Sequence, residues 1–570
     1  MKRFISGRKS TMSYVALVNT NGNENKFTPR RDRSAPPTKY SHGLENAIII
    51  LTPCLSLIAI ITNIAPIYIV IPVAVVILAL VAYFLYESRF YAKIMSKTAV
   101  DVDKYMYSKP GRIQRNYISM SHRLSSGSIK KSPPIKFKCS PSPYMENLLV
   151  TSKCAPGDRM LEIDPSTPSI IIGSIRMGFG HHRIARAASS WGAGTNLNTY
   201  FHDLLNIESA ESKLIHDMDS LYSAGSRMAT EIGGPVEAMW GYATLSGGEG
   251  SLRQTWLMGE ALTSLVETIS KDVPIVCSHS LVGMVAVAAG FKHVVNCVID
   301  NHAQWFCAVP GAVNVVQGPS NYISFLKMGI PASELRLVGG WVPKDIVDNI
   351  EKDSEKRHER LIKGSPRRLL VPIGGAGAQR KYVSRLVRAM APLIKDGTIE
   401  LFLNAGDRQL NHRTFDTILA ELELNYQLVD SFETLKEMIA DQDKIKTPVV
   451  LLAFKEYFPA LACTDMLIRI CDVLVSKPSE LAFYPIPKLS IRRVGDHEQF
   501  SANRAVEIGD GTPEARTVDD AMHWINLLSK SGELFSQMND CVLRNHSIGL
   551  YNGSKRAVEI ARKMASGEKY

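Results

Sequence analysis

Hydrophobic and polar positions divide this chain into three textures. The first is an apolar run from Ala47 to Tyr86 without one charged residue. As a single helix it would reach about 60 Å, twice the ~30 Å hydrocarbon core of a bilayer. A break near Thr62-Asn63, with Pro66 and Pro72 beyond it, divides the run into two spans of roughly 20 residues each. The pattern predicts a transmembrane helical hairpin over 44–88; the competing arrangement is one span at 64–86 behind a shallow first helix. The second texture is polar, over the tail 1–43 and the stretch 89–165. The third begins near residue 168, where short apolar runs alternate with helical periodicity, as in parallel α/β structure.

Two stretches of that third region share one grammar. Ser169–Gly173 reads as a buried strand, 174–182 as a loop with Gly178 and Gly180, and 183–191 as a helix. Arg368–Ile373 is again a strand, Gly374–Gln379 a glycine loop, and 381–394 a helix. Glycines let the backbone turn tightly and present bare N–H groups at a helix N-terminus, where a phosphate is favoured. Further strands are predicted at Pro274–Cys277, Val294–Ile299, Val313–Gln317, Glu400–Asn404, Pro448–Leu452 and Val473–Ser476, and late helices at 517–530 and 553–566. The resulting plan is a disordered basic tail (1–43), the hairpin (44–88), a basic linker (89–165), an N-terminal Rossmann-like domain (166–343), a linker (344–368), a C-terminal Rossmann-like domain (369–530) and C-terminal helices (531–570).

Charge sharpens the picture. The net charge of +11 would suit nucleic acid, but its distribution does not. Residues 1–43 and 87–166 each carry a net +7, while 167–570 is about neutral. The basic excess flanks the apolar run. That is a membrane pattern: both ends of the hairpin stay on the cytoplasmic side, and the linker is suited to an anionic lipid surface. No nucleic-acid partner is expected. Nine cysteines without a C-x-x-C pair argue against a disulfide framework and a structural zinc site. Asp101-Val102-Asp103, Asp217-Met218-Asp219 and Asp441-Gln442-Asp443 read as chance D-x-D tripeptides, and no metal is expected.

Several segments resemble the GT-B glycosyltransferases, in particular family 28, whose members include monogalactosyldiacylglycerol synthase, processive diacylglycerol glucosyltransferases and the peptidoglycan N-acetylglucosaminyltransferase. The resemblance spans about 168–515. Gly178-Phe179-Gly180-His181, with Ala185, resembles the G-x-G-H loop; Ser278-His279-Ser280 the S-T-H-P segment; and Asp300-Asn301-His302-Ala303-Gln304-Trp305 the D-x-H-x-x-W segment. Met328–Pro331 and Val338–Pro343 resemble the exit from the N-terminal domain. Gly374-Gly375-Ala376-Gly377 resembles the G-G-x-G loop, Asp472–Pro478 the A-D-x-x-x-x-K-P strand, and Glu480, Pro487, Glu498 and Asn503 keep the offsets of the final motif. Where the family has Gly-Gly-x-Thr between Lys-Pro and the glutamate, this chain has Ser479 alone, which shifts the diphosphate load toward Gly374–Gly377.

The resemblance implies an α/β fold of the GT-B kind, two Rossmann-like domains facing a cleft, and inverting transfer without metal or cofactor. The co-substrate would be a nucleotide sugar, of UDP type, and the acceptor a lipid or lipid-linked molecule. His181 is the candidate base, with a pKa suited to neutral pH, and Asp300 is its rival or orienting partner. Gly178, Gly180 and His302 belong to the acceptor-side loops. On the donor side, Glu480 would accept from a ribose diol and Lys477 would offset diphosphate charge. Ser479 and the glycine loop would add donors, and Glu498, Gln499 and Asn503 would read sugar hydroxyls. Three alternatives stand beside this reading: a GT-B-shaped nucleotide or lipid binder without catalysis, a sugar-nucleotide epimerase, and an α/β-hydrolase built on Ile275–Gly283. Val282, where the hydrolase elbow needs glycine, opposes the last.

Overall fold

The computed structural model describes residues 132–570 apart from 165, 196, 246–248, 374–376 and 378, together with six helical positions between Ile71 and Ala79. The chain divides into two compact units, Met1–Phe90 and Tyr91–Tyr570. In the first, the helical positions Ile71, Val75, Val76 and Leu78 are all more than half exposed and apolar. The remainder of the predicted hairpin, the basic tail and the linker up to residue 131 lie outside the described residues. No helix among the described residues is long and apolar enough to cross a membrane.

The second unit holds two sheets. The first has strands β1 (Phe137–Pro141), β2 (Leu148–Lys153), β3 (Ser169–Ser174), β4 (Asn198–Asp203), β5 (Ile275–Cys277), β6 (Val294–Cys297), β7 (Val313–Val316) and β8 (Leu335–Leu337). Their order is β1-β2-β4-β3-β5-β6-β7-β8, parallel except for the β1–β2 hairpin. The second comprises β9 (Arg367–Pro372), β10 (Ile399–Gly406), β11 (Tyr426–Val429), β12 (Val449–Ala453), β13 (Val473–Ser476) and β14 (Lys488–Ser490), all parallel in the order β11-β12-β10-β9-β13-β14. β3 is buried at all six positions, because helices cover both faces of a parallel sheet. Each predicted strand of the α/β region is present to within a residue or two.

The helices of the first sheet are α1 (Gly180–Ala193), α2 (Ala210–Ile232), α3 (Gly234–Leu245), α4 (Glu249–Ala261), α5 (Ser280–Ala288) and α6 (Pro319–Met328). Two more, α7 (Lys344–Val347) and α8 (Ile350–Ile362), occupy the expected linker. The second sheet carries α9 (Arg380–Lys395), α10 (Gln409–Glu421), α11 (Phe432–Ala440), α12 (Tyr457–Ile468), α13 (Gln499–Ile508), α14 (Val518–Lys530) and α15 (Gly532–Ser547), while α16 (Gly553–Ser566) returns to pack on α1 and the first sheet. The Lys/Arg/Glu-rich α8 is no loose tether. Arg357 is buried and donates to the carbonyls of Cys471 and Ile468, at 3.0 and 2.8 Å, with burial lowering its pKa to about 10.

Residues 137–153, read from sequence as part of the basic linker, form the β1–β2 hairpin and extend the first sheet. His202 on β4 ties that hairpin in. Its Nδ1 lies 2.8 Å from Thr151 Oγ1 and its Nε2 2.9 Å from Leu265 O, with the ring fully buried. The hairpin was illegible because its basic and Ser/Pro-rich composition masks the few inward positions, Phe137, Leu148 and Thr151.

Of the contacts that join the two domains, two are built on buried charge and on backbone pairing. At the first, the buried Asp465 of α12 accepts from Arg183 Nη1 at 2.8 Å, Arg186 Nη1 at 2.5 Å and Tyr484 Oη at 2.8 Å. Burial pushes the Arg186 pKa down, but Asp465, Asp345 and Tyr484 together outweigh it and raise it. At the second, the chain end returns to the first domain: Gly340 N donates to Leu550 O, Gly553 N to Gly340 O, and Arg556 to Val338 O. A Cβ on Gly553 would stand 2.3 Å from Gly339 O, so the crossing needs glycine.

Asp465→Asn leaves buried guanidinium charge uncompensated and is expected to lower stability by about 3–5 kcal/mol in urea unfolding, with Tyr484→Phe near 1 kcal/mol. Burial holds the His202 pKa at about 4, below its unfolded value of ~6.5, so the unfolded chain takes up the proton first. Stability from this group is therefore present above pH ~6.5 and lost as pH falls toward 4, about 2 kcal/mol of it by pH 5. A His202→Asn variant should show a correspondingly shallower pH dependence between pH 7 and 5.

Candidate functional site

In an open parallel sheet, ligands bind beyond the strands' carboxyl ends where the winding reverses. Winding reverses between β3 and β5 in the first sheet and between β9 and β13 in the second. The β3 loop carries Gly178, Gly180 and His181, and the β5 loop Ser278 and His279. The β9 loop carries Gly377, and the β13 loop Lys477, Ser479 and Glu480. Most of the candidate residues thus lie at two topological switch points.

At the first switch point, His181 Nδ1 lies 2.7 Å from Ser278 O. A carbonyl only accepts, so Nδ1 carries the proton and Nε2 holds the lone pair, the tautomer a general base requires. Its ring packs on His279, with centroids 4.1 Å apart. Burial, and then the neighbouring His181, pushes the His279 pKa well below its usual value. His279 Nδ1 accepts from Leu281 N at 3.0 Å and so caps α5. Gly178, at φ +65°, makes the turn, and Gly180 opens α1.

A cavity of about 600 Å³ separates the two domains. Gly178 and Phe179 line it from the first sheet, with Arg176 beside them; Asp407, Arg408 and Tyr457 line it from the second. Lys213, His216 and Asp219 of α2 form a third wall. Tyr457 donates from Oη to Gly178 O at 2.8 Å, and the Arg176 guanidinium stacks 3.8 Å from its ring centroid. Burial raises the Asp219 pKa, with His216 and Arg408 among the groups opposing the rise. Gly377, at φ +69°, has Arg408 and Asn411 as neighbours: a Cβ there would lie 3.7 Å from Arg408 Cδ and 3.4 Å from Asn411 Oδ1. Arg408 therefore joins the cavity to the glycine loop. Gly374 and Gly375 lie outside the described residues.

The other candidates meet at a second locus. Lys477 is ion-paired with the buried Glu498, whose other oxygen accepts from Val494 N at 2.7 Å. Asp300, half-buried after β6, and this Lys477–Glu498 pair all act electrostatically on Tyr222 of α2, which stays about half exposed. Asn301 donates to Ser501 Oγ at 3.2 Å, and His302 stacks on Phe500 at 4.3 Å. The 300–302 segment thus docks on α13. Gln499 and Asn503 are exposed on that helix. Ser479 is half-buried and begins a turn with Glu480, whose side chain lies outside the described residues. His181 and Asp300 occupy different strand ends, and the hydrogen bond defining the His181 tautomer goes to Ser278.

Sequence reading missed Tyr222, Arg408 and the whole α2–α4 insertion, since no motif marks them. The one available signal was Asp217-Met218-Asp219: Asp219 lines the cavity, while Asp217 lies on the open side of α2. Asp441 caps a short turn by accepting from Asp443 N at 3.1 Å. Among the described residues no cluster of His, Cys, Asp and Glu could hold a metal.

Two family models match the sequence, each described only as a domain of unknown function: DUF6937 over residues 108–327 and DUF6938 over 330–562. No curated protein matches. Among solved structures, UDP-GlcNAc 2-epimerase from Neisseria meningitidis bound to UDP-GlcNAc is similar at 12% identity and a TM-score of 0.41, covering 69% of this chain and 98% of its own. The α,α-trehalose 6-phosphate synthase from Burkholderia multivorans is similar at 12% identity and 0.37, covering 70% and 99%. E. coli heptosyltransferase WaaC with ADP-2-deoxy-2-fluoro heptose is similar at 10% identity and 0.30, covering 63% and 99%. At such identities and scores these likenesses carry no inference about activity.

Arg408→Ala is expected to weaken UDP binding about tenfold, the loss of one charge-assisted contact, with little change in melting temperature. Isothermal titration beside a melting curve checks both halves.

Proposed function

We propose that this protein is a GT-B-type glycosyltransferase that moves a sugar from a nucleotide donor, of UDP type, to a lipid or lipid-linked acceptor. The observation that carries the reading is the cavity lined by the glycine-bearing β3 switch-point loop from the first sheet and by Asp407, Arg408 and Tyr457 from the second. A nucleotide diphosphate suits such a place, because backbone N–H groups and Arg408 can neutralise it without a metal. His181, its Nε2 lone pair set by Ser278, would take the proton from the acceptor hydroxyl, with Asp300 as the alternative base. Gly374, Gly375 and Gly377 would cradle the diphosphate, with Ser479 adding a donor and Glu480 holding the ribose. Gln499 and Asn503, exposed along α13, would meet sugar hydroxyls. Gly178 and Gly180 would shape the acceptor side, while His302, stacked on Phe500, stands at the second locus. The apolar segment 44–88 would anchor the chain to the cytoplasmic face of a membrane, raising the effective concentration of a lipid acceptor.

One observation favours the alternative, a nucleotide binder without turnover. Lys477 and Glu498, two donor-side candidates, are joined to each other. A nucleotide-sugar panel in thermal-shift format identifies the donor, and transfer or donor hydrolysis by the full chain in membranes separates enzyme from binder. His181→Ala is expected to cut turnover at least ~100-fold while leaving nucleotide affinity nearly intact. Full activity in that variant moves the base to Asp300.

A further inference from the structure

Glu237 lies on α3, in the helical insertion of the first domain, yet its carboxylate is engaged by the second. Arg492 grips it with both Nε and Nη2, the Nε bond being 3.2 Å, and Arg516 Nη2 stands 3.5 Å from the same Oε1. A carboxylate held in a guanidinium fork and met by a second guanidinium presents the chemistry of a phosphate oxyanion. The neighbouring arginine shows the contrast. Arg493 is satisfied within its own domain by Glu514 and Asp496, at 2.6 and 2.8 Å. The second acid of Arg516 among the described residues, Glu514, stands with Oε1 3.9 Å away.

The segments that bear both arginines meet the start of α9. Gln379, which precedes α9, donates through Nε2 to Arg492 O, and Tyr382 Oη donates to Ala515 O and Thr517 O at 3.0 and 2.7 Å. The segments bearing Arg492 and Arg516 are thereby stitched to the first turn of the helix that follows residues 374–378. The element delivering Glu237 has a pivot. α2 and α3 meet at Gly233-Gly234, with φ of +73° and +55°, a pair of backbone states other residues rarely adopt.

We infer that Arg492 and Arg516 form a subsite for a phosphate or pyrophosphate group, which Glu237 fills from within and vacates when such a ligand binds. The inference rests on the nucleotide-sugar reading of the cleft and deepens it: the insertion competes with the donor's diphosphate through its own carboxylate.

The test is calorimetric titration of the full chain with inorganic pyrophosphate and, separately, with UDP. Glu237→Gln is expected to raise affinity for both about tenfold, and adding Arg492→Gln to abolish the gain. Should Glu237→Gln fail to fold, Glu237→Asp keeps the charge on a shorter arm and is expected to give a smaller gain. Unchanged affinities with a lowered melting temperature would make the contact a structural brace and overturn the inference. UDP binding to the wild type that no Glu237 variant alters removes the subsite while leaving the nucleotide reading intact. A gain for pyrophosphate with UDP bound no more tightly than pyrophosphate keeps the subsite and removes that reading. Binding of neither ligand by any variant overturns both.

Discussion

Asp465 is the constraint on which the arrangement of the two domains depends. A fully buried carboxylate is tolerated only with its charge matched and its lone pairs satisfied, and here the partners come from separate sheets. Arg183 and Arg186 extend from α1, the helix behind the β3 glycine loop, while Tyr484 belongs to the turn after β13. Meeting the electrostatic demand of one side chain therefore sets the helix behind one switch point against the second domain. The Tyr457 hydroxyl on Gly178 O extends that link from α12 to the glycine loop itself.

The cavity follows from this geometry. Its walls are the loops that the two sheets turn toward each other, and its chemistry is mixed: Arg176, Lys213 and Arg408 face Glu208, Asp219 and Asp407. Such a lining offers donors and acceptors to polyhydroxylated and phosphorylated groups in one volume. The insertion α2–α4 supplies the third wall. It brings Asp219 to the cavity and Tyr222 within reach of the Lys477–Glu498 pair from α2, and Glu237 onto the second domain from α3. An element with no motif thus contributes to both loci and to the contact with Arg492 and Arg516.

His181 illustrates how a local pattern acquires chemical meaning only in three dimensions. A histidine after two glycines is a candidate base on residue type alone, but its tautomer depends on which atom meets Nδ1. That atom is the carbonyl of Ser278, a residue on the neighbouring switch-point strand. Glu498 and Lys477 show the reverse case. Each looks suited to a ligand in isolation, and in the fold each is engaged by the other.

The sequence by itself determined the α/β class, the two strand–glycine-loop–helix units and most strand positions. Runs such as Ile170-Ile171-Ile172 are buried on both faces and read without context, and glycines 178 and 377 mark turns that demand positive φ. Tertiary structure alone decided the rest. The β1–β2 hairpin has too few inward apolar positions to stand out from a basic linker, and His202 secures it from β4. Arg408, Tyr222 and Glu237 are ordinary polar residues until packing brings distant segments together. Their roles come from pairings across long sequence separations, Glu237 with Arg492 and Arg516 above all. Local periodicity encodes which face of an element is buried; it holds no information about which distant charge that element will meet.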